Sequence, residues 1–165
     1  MAIVTAIAAV TDLHSRIIPN WLVVTGLALG FGLNTYLYGW AGLLAAFLGF
    51  GLALALYIPL FLLRAMGGGD VKLMAAVGAL AGPKDWFTIF VLASLLGGVF
   101  ALALLFLRHS MGSTFKNIWH ILTNLIRLRA PYASKPDLDI SSPKAITMPH
   151  GVAIAAGTLA FLFLR

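Results

Sequence analysis

The sequence GGGDVKL at residues 67–73 places three glycines, a carboxylate and an ammonium group side by side in a chain that is otherwise strongly apolar. A second polar interruption, TDLHSRIIPNWL at residues 11–22, contains another Asp and an Arg. Both stretches border apolar segments, where a charged side chain costs free energy unless it serves a purpose. These two stretches therefore delimit the segments of the fold and are the first candidates for a functional site.

The composition of the chain is that of a membrane protein. Of its 165 residues, 61% are hydrophobic and 10% are charged, and the mean hydropathy is +1.00, whereas soluble domains average about 45–50% apolar and about 25% charged residues. No linker or low-complexity tract divides the sequence, so we expect one integral-membrane domain over residues 1–165. The first residues lack a basic region and a small-residue cleavage site, so we expect no cleaved signal peptide.

Charges and turn residues divide the chain into six apolar segments. About 20 apolar residues cross a bilayer core, and no alternating strand pattern occurs, so each segment is predicted to be a transmembrane helix. Pro19 suits a helix start, Gly39 a tight hairpin, and Gly82 followed by Pro83 a helix stop. The segments cover residues 2–13, 21–38, 40–63, 70–81, 86–107 and 149–164. The predicted fold class is an all-α, polytopic helical bundle.

The distribution of Lys and Arg predicts the orientation of this bundle. The side reached after the first, third and fifth segments contains Arg16, Arg64, Lys72, Arg108, Lys116, Arg127, Arg129, Lys135 and Lys144, whereas the other side contains only Lys84 and Arg165. This bias assigns the first side to the cytoplasm and both termini to the outside. Because the basic residues lie at segment ends and form no patch interleaved with aromatic residues, the formal charge of +6 indicates contact with the lipid bilayer and not with nucleic acid.

The long cytoplasmic loop, residues 108–144, contains a further helical pattern. Its apolar residues recur at helical spacing opposite polar ones: Phe115, Ile118, Trp119, Leu122, Leu125 and Ile126. This pattern predicts an amphipathic helix that lies on the inner membrane surface as an anchor.

Two of the six segments are short, and these two carry the acids Asp12 and Asp70. Counted inward from the outer face at 1.5 Å per residue, Asp12 lies about 17 Å from Met1 and Asp70 about 20 Å from Pro83. In a core of about 30 Å, both carboxylates then lie roughly 10 Å beneath the cytoplasmic face. The chain has no Glu, and its three other acids fall in predicted loops: Asp85, Asp137 and Asp139. Two intramembrane acids at one depth predict a functional site.

Paired carboxylates that share one proton can act on water as general base and general acid, because like charges that close cannot both ionise. The helix dipole favours the ionised form of Asp70 at the start of its helix, whereas Asp12 lies near the negative end of the first segment. Residues 67–69 can adopt positive φ and bring backbone close to an extended peptide beside Asp70. The histidines show no ligand spacing and cysteine is absent, so we expect neither a metal nor another cofactor.

At these residues the sequence resembles the prepilin peptidases, membrane aspartyl proteases of the GxGD type, and especially the small enzymes of the Tad/Flp pilus systems. The resemblance rests on three blocks that span most of the chain. They read D-x-x-x-R-x-I-P-N at residues 12–20, G-G-G-D-V-K-L at 67–73, and P-H-G-V-A-I-A-A-G at 149–157.

The resemblance implies an aspartic endopeptidase of the bacterial or archaeal cytoplasmic (inner) membrane. Its substrates would be type IV prepilin-like proteins, cleaved on the cytoplasmic side between a short basic leader and a hydrophobic segment. Asp12 and Asp70 would be the catalytic pair. Substrate-binding or supporting positions would be Gly67, Gly68 and Gly69 of the GxGD loop, together with Arg16, Asn20 and Lys72.

The sequence also departs from the family pattern. Larger members methylate the new N-terminus and carry an N-terminal cytoplasmic domain with a cysteine motif; this chain shows neither, so we do not expect methylation. His150 stands where an aromatic residue such as Tyr is expected. It could tune the site or contact the substrate, or be an interfacial group at a helix start.

Two other classes of protein fit parts of the pattern. Paired membrane acids at broken helices also build the ion sites of small proton-coupled transporters, although the sequence has no internal repeat and no polar stripe that continues to the outer face. Alternatively, the chain could be a structural subunit of a pilus or secretion apparatus whose acids bind a partner helix. Cleavage of a prepilin, or ion flux in liposomes, would distinguish these classes.

Overall fold

The described part of the chain is helical. The computed structural model describes residues 1–64, 66–107, 119, 123 and 150–165. It contains helices α1 (Ala2–Ser15), α2 (Asn20–Leu62), α3 (Gly68–Leu107) and α4 (His150–Leu164), with no strand in these ranges. The all-α prediction is therefore confirmed. The predicted amphipathic helix lies outside the described residues except for Trp119 and Thr123.

Helix α2 folds back on itself at Gly39. The φ of +60° and ψ of −139° at Gly39 interrupt the helical conformation, and glycine adopts such a φ without the steric cost of a Cβ. The rings of Phe31 and Phe47 lie 4.6 Å apart, although a straight helix would separate these residues by about 24 Å. Helix α2 thus consists of two antiparallel segments, 20–38 and 40–62, joined at the predicted hairpin.

Helix α3 folds back in the same way at Gly82, where φ is +75° and ψ is 172°. The indole N–H of Trp86 donates a hydrogen bond of 3.0 Å to the carbonyl oxygen of Met74, although these residues would lie about 18 Å apart along a straight helix. Helix α3 therefore has two segments, 68–81 and 83–107. The two segments of α2, the two segments of α3, and helices α1 and α4 make six helical segments in the described part of the chain.

Glycines allow the segments to approach each other closely. Helix α2 packs against α3, and α4 packs against both α3 and α1. Between α2 and α3, the backbone of Gly49 lies directly on that of Gly78. Between α4 and α3, Gly157 lies on the backbone of Ala93. A Cβ on Gly49 or on Gly157 would overlap the opposing backbone. Such close backbone approach is the usual basis of helix packing in membranes, where burying apolar surface between helices brings no gain over lipid.

The outer surface of the bundle is apolar. Trp40 and Phe163 are 79% and 88% exposed. Helix α2 and the Gly68–Leu104 part of α3 are long and apolar enough to cross a membrane, and only 22% and 11% of their most apolar windows are buried inside the protein. Core helices of a soluble protein would bury most of such a window, so this surface suits a lipid environment.

The Gly49 contact predicts a selective loss of stability. Gly49→Ala places a methyl group into the backbone of Gly78, and such overpacking costs about 1–3 kcal/mol. Gly51, two residues away on the same segment, has no atom within 4 Å of a Cβ, so Gly51→Ala is the matched control and adds about 0.5–1 kcal/mol of helix stability. Thermal unfolding of the purified variants in detergent measures both effects; equal melting temperatures would contradict the packing described.

Candidate active site

Asp12 is a buried acid near the end of α1, with only 7% of its surface exposed. The helix ends at Ser15, two residues later than predicted, because the backbone N–H of Arg16 donates to the carbonyl oxygen of Asp12 at 3.0 Å and closes one more turn. Arg16 has the left-handed φ of 55° and is exposed. The side chain of Asp12 therefore lies among the helices, whereas Arg16 turns the chain toward α2.

The carboxylate of Asp12 is held by the first turn of α4. The backbone N–H of Gly151 donates a hydrogen bond of 2.8 Å to its Oδ2. A Cβ on Gly151 would lie 3.0 Å from both Oδ2 and Cβ of Asp12, which explains the glycine. Asp12 thus lies near the C-terminal end of α1, as expected, while its carboxylate accepts a backbone N–H at the N-terminal end of α4.

Asp70 lies in the first turn of α3. This helix begins at Gly68, two residues earlier than predicted, and the backbone N–H of Asp70 donates to the carbonyl oxygen of Gly67 at 3.2 Å. The Asp70 carboxylate lies against the backbone of Gly67, where a Cβ would be 3.5 Å from its Oδ2. It also interacts electrostatically with the carboxylate of Asp12. The two acids therefore lie close enough for their charges to interact, although they belong to different helices.

The glycines before Asp70 do not have the positive φ that the sequence allowed. Positive φ among the described glycines occurs at Gly39 and Gly82, so residues 67–69 do not adopt the left-handed conformations that the sequence suggested. Gly68 and Gly69 instead belong to α3 and pack closely. A Cβ on Gly68 would lie 3.3 Å from the ring of Phe61, and one on Gly69 would lie 3.4 Å from Cβ of Ile18.

Two of the supporting positions lie together at the exposed edge of this site. The ammonium group of Lys72 donates a hydrogen bond of 3.1 Å to Oδ1 of Asn20. This contact joins the start of α2 to the first turns of α3, so it fixes Asp70 relative to the turn that follows Asp12. The third predicted supporting position, Arg16, follows the last residue of α1, where its backbone N–H donates to the carbonyl oxygen of Asp12.

His150 lies at the site and is half-buried as the first residue of α4. Its imidazole interacts electrostatically with the carboxylate of Asp12. Its position next to Gly151, whose N–H binds Asp12, is compatible with both interpretations that the sequence left open for this residue. Within the described ranges, no three His, Cys, Asp or Glu side chains lie together as a metal site would require.

Tyr57 is a polar neighbour of the acids that the sequence analysis did not identify. It lies on the second segment of α2, is only 4% exposed, and interacts electrostatically with Asp70. The signal was present in the sequence, because Tyr57 is the only hydroxyl group in the apolar run of residues 40–63. The interaction of Tyr57 with Asp70 could not be predicted from that run, since it depends on how α2 packs against α3.

Comparisons with known proteins show which family the sequence resembles. The sequence profile of the type IV leader peptidase family matches residues 1–102, which include Asp12 and Asp70. The chain is 38% identical over 100 residues to a prepilin leader peptidase/N-methyltransferase of Bacillus subtilis, a match that covers 59% of this chain and 40% of the relative. It is 29% identical over 89 residues to the prepilin peptidase EppA of Methanocaldococcus jannaschii, with 54% and 24% covered.

The matched region thus amounts to less than half the length of either relative. No solved structure matches the chain. The family profile nevertheless extends over more than half of the sequence and contains both acids of the site. The chain belongs to the type IV leader peptidase family.

Proposed function

We propose that this protein is a membrane aspartic endopeptidase that cleaves the leader peptide of type IV prepilin-like proteins at the cytoplasmic face. The observation that carries the proposal is the meeting of Asp12 and Asp70, which lie on different helices and interact inside the bundle. Both acids lie within the family match, and the two relatives are named for prepilin peptidase activity.

The environments of the two acids support separate roles. Asp12, which accepts the N–H of Gly151 at the start of α4, is the ionised general base and removes a proton from a water molecule. The resulting hydroxide attacks the scissile carbonyl carbon, while Asp70, protonated beside the charge of Asp12, gives its proton to the carbonyl oxygen. Asp12 then gives its proton to the amide nitrogen, while Asp70 takes back the proton of one hydroxyl of the tetrahedral intermediate. The carbonyl re-forms, the C–N bond breaks, and leader and mature protein are released with both acids in their starting states.

The proposed topology has six transmembrane segments, with the hairpin turns at Gly39 and Gly82 on the outer side. The contacts at the two ends of the bundle support it. Asn20 and Lys72 join helix ends beside the acids, whereas an ion pair of 3.2 Å between Asp85 and Arg165 joins the α3 turn to the end of α4. The acids then lie near the inner face, where the junction of a cytoplasmic leader and a membrane helix would arrive.

Replacement of either acid is expected to abolish cleavage. Asp12→Asn and Asp70→Asn keep the shape of each side chain but remove the shared proton, and general acid–base catalysis of this kind contributes about 10²–10⁴ in rate. The measurement is cleavage of a purified prepilin in detergent, with melting temperature as the control for folding. A variant that folds and keeps more than about a hundredth of the wild-type rate would contradict the two-acid mechanism.

Substitution of Gly69 distinguishes two reasons why this position could be needed for cleavage: packing against Ile18 and approach of the substrate backbone. Gly69→Val is expected to reduce cleavage strongly, because its γ carbons overlap Ile18, whose Cβ lies 3.4 Å from a Cβ at this position. If the overlap alone is responsible, Ile18→Ala in the same chain restores the rate. If the valine instead blocks a substrate backbone that lies along residues 67–69, the double variant folds as the wild type does and stays inactive. Initial rates and melting temperatures of the three variants decide between these outcomes.

Labelling of single cysteines tests the topology, and the chain has no native cysteine to interfere. Tyr38→Cys, beside the Gly39 turn, is expected to react with a membrane-impermeant maleimide added to intact spheroplasts. Ser15→Cys, at the end of α1, is expected to react only after permeabilisation. Both positions are exposed in the structure, so access to the reagent depends on the side of the membrane. Equal labelling in intact spheroplasts would be inconsistent with the proposed orientation.

A further inference from the structure

Tyr57 is clamped by aromatic side chains that fix the direction of its ring. Its ring centroid lies 6.2 Å from that of Trp86 and 5.9 Å from that of Phe90, both in edge-to-face geometry. Trp86 and Phe90 in turn stack on each other at 5.6 Å. Edge-to-face pairs of this kind are favourable in themselves, so the ring of Tyr57 has little freedom and its hydroxyl is held in one direction.

Two contacts on either side of Tyr57 place it level with Asp70. One helical turn beyond Tyr57, the ring of Phe61 lies against Gly68. One turn beyond Asp70, the carbonyl oxygen of Met74 accepts the indole N–H of Trp86. The contacts of Phe61 with Gly68 and of Gly49 with Gly78 pair the second segment of α2 antiparallel with the first segment of α3, so Tyr57 lies at about the level of Asp70. The electrostatic interaction between the two side chains agrees with this placement.

The hydroxyl of Tyr57 requires an explanation beyond packing. A Phe at this position would make the same ring contacts, and the surrounding segment is otherwise composed of apolar side chains. Removing a phenol hydroxyl from water costs free energy unless it finds a hydrogen-bond partner. The carboxyl group whose charge acts on Tyr57 is that of Asp70, which makes this acid the candidate partner of the hydroxyl.

We propose that Tyr57 is a positioning residue for Asp70, an inference that rests on the peptidase function proposed above. During turnover its O–H donates a hydrogen bond to the Asp70 oxygen that does not carry the shared proton. This bond turns the protonated oxygen toward the scissile carbonyl and stabilises the carboxylate that remains once the proton has been transferred. Tyr57 itself neither gains nor loses a proton.

The groups around Asp70 allow a specific test by pH. Asp70 is faced by Asp12 from α1 and by Tyr57 from α2, and His150 from α4 faces Asp12; Lys72 on α3 is exposed and bonded to Asn20. A Tyr57→Phe variant leaves all the other groups in place. Without the donor, the Asp70 carboxylate is less stable, so the pair keeps its proton to higher pH and transfers it more slowly.

The experiment compares Tyr57→Phe with Phe90→Leu in the full-length protein, using a purified prepilin as substrate. For Tyr57→Phe we expect kcat to fall about tenfold or more with KM unchanged, and the alkaline limb of the pH–rate profile to move up by about one pH unit, as expected for loss of a hydrogen bond to a carboxylate. Phe90→Leu removes a ring contact of the same cluster without removing a hydroxyl. It should lower the melting temperature and leave the alkaline limb where it is.

The possible outcomes separate this inference from the proposed function. If the wild-type protein cleaves the prepilin and Tyr57→Phe matches it in kcat and pH profile, the role of Tyr57 is wrong and the two-acid site stands. A shift of the alkaline limb that is the same in Phe90→Leu also overturns it, because the effect would then come from packing. If the wild-type protein does not cleave prepilins, the proposed function fails and this inference fails with it.

Discussion

The hydrogen bond from the backbone of Gly151 to the carboxylate of Asp12 is the contact on which the rest of the site depends. It joins α1 to α4 across 139 positions of the sequence and gives a buried negative charge a partner inside an apolar bundle. A buried carboxylate without such a partner would cost several kcal/mol in apolar surroundings. Because α4 also packs on α3, the same helix that holds Asp12 sets its position relative to Asp70.

Close packing of glycine backbones gives this arrangement its precision. The contact of Gly49 with Gly78 and that of Gly157 with Ala93 leave no room for adjustment by side-chain rotation. Two acids that must share a proton have to be placed to within a fraction of an ångström, and packing of backbone on backbone is less compliant than packing through long side chains. The stability of the bundle and the geometry of the acid pair therefore have a common origin.

The sequence predicted those parts of the protein that depend on local pattern. The apolar helical segments and the reversals at Gly39 and Gly82 follow from segment length and turn residues, which are properties of neighbouring residues. Other features depend on which helices lie side by side. Neither the hydrogen bond from the first turn of α4 to Asp12 nor the interaction of Tyr57 with Asp70 could be predicted from local pattern.

The glycine run before Asp70 shows the limit of local reasoning most clearly. Three successive glycines favour a loop with positive φ when considered alone, yet Gly68 and Gly69 are helical, with the ring of Phe61 and the side chain of Ile18 packed close to their α carbons. Their small size is required for space and not for unusual dihedral angles. That distinction depends on Phe61, near the end of α2, and on Ile18, in the turn between α1 and α2. Neither contact can be deduced from the glycine run itself.

The reversals at Gly39 and Gly82 also bear on how the chain enters a bilayer. A long apolar helix that reverses at a single glycine can insert into the bilayer as a closed hairpin. Only the few residues of the turn must then cross the bilayer, instead of a hydrophilic loop. In the proposed orientation the α2 turn carries no charge, and the α3 turn carries Lys84 and Asp85. Asp85 forms an ion pair with Arg165, so the negative charge of this turn is neutralised once the turn has crossed the bilayer. Insertion of this protein should therefore resemble the entry of two preformed hairpins more than the stepwise threading of separate helices.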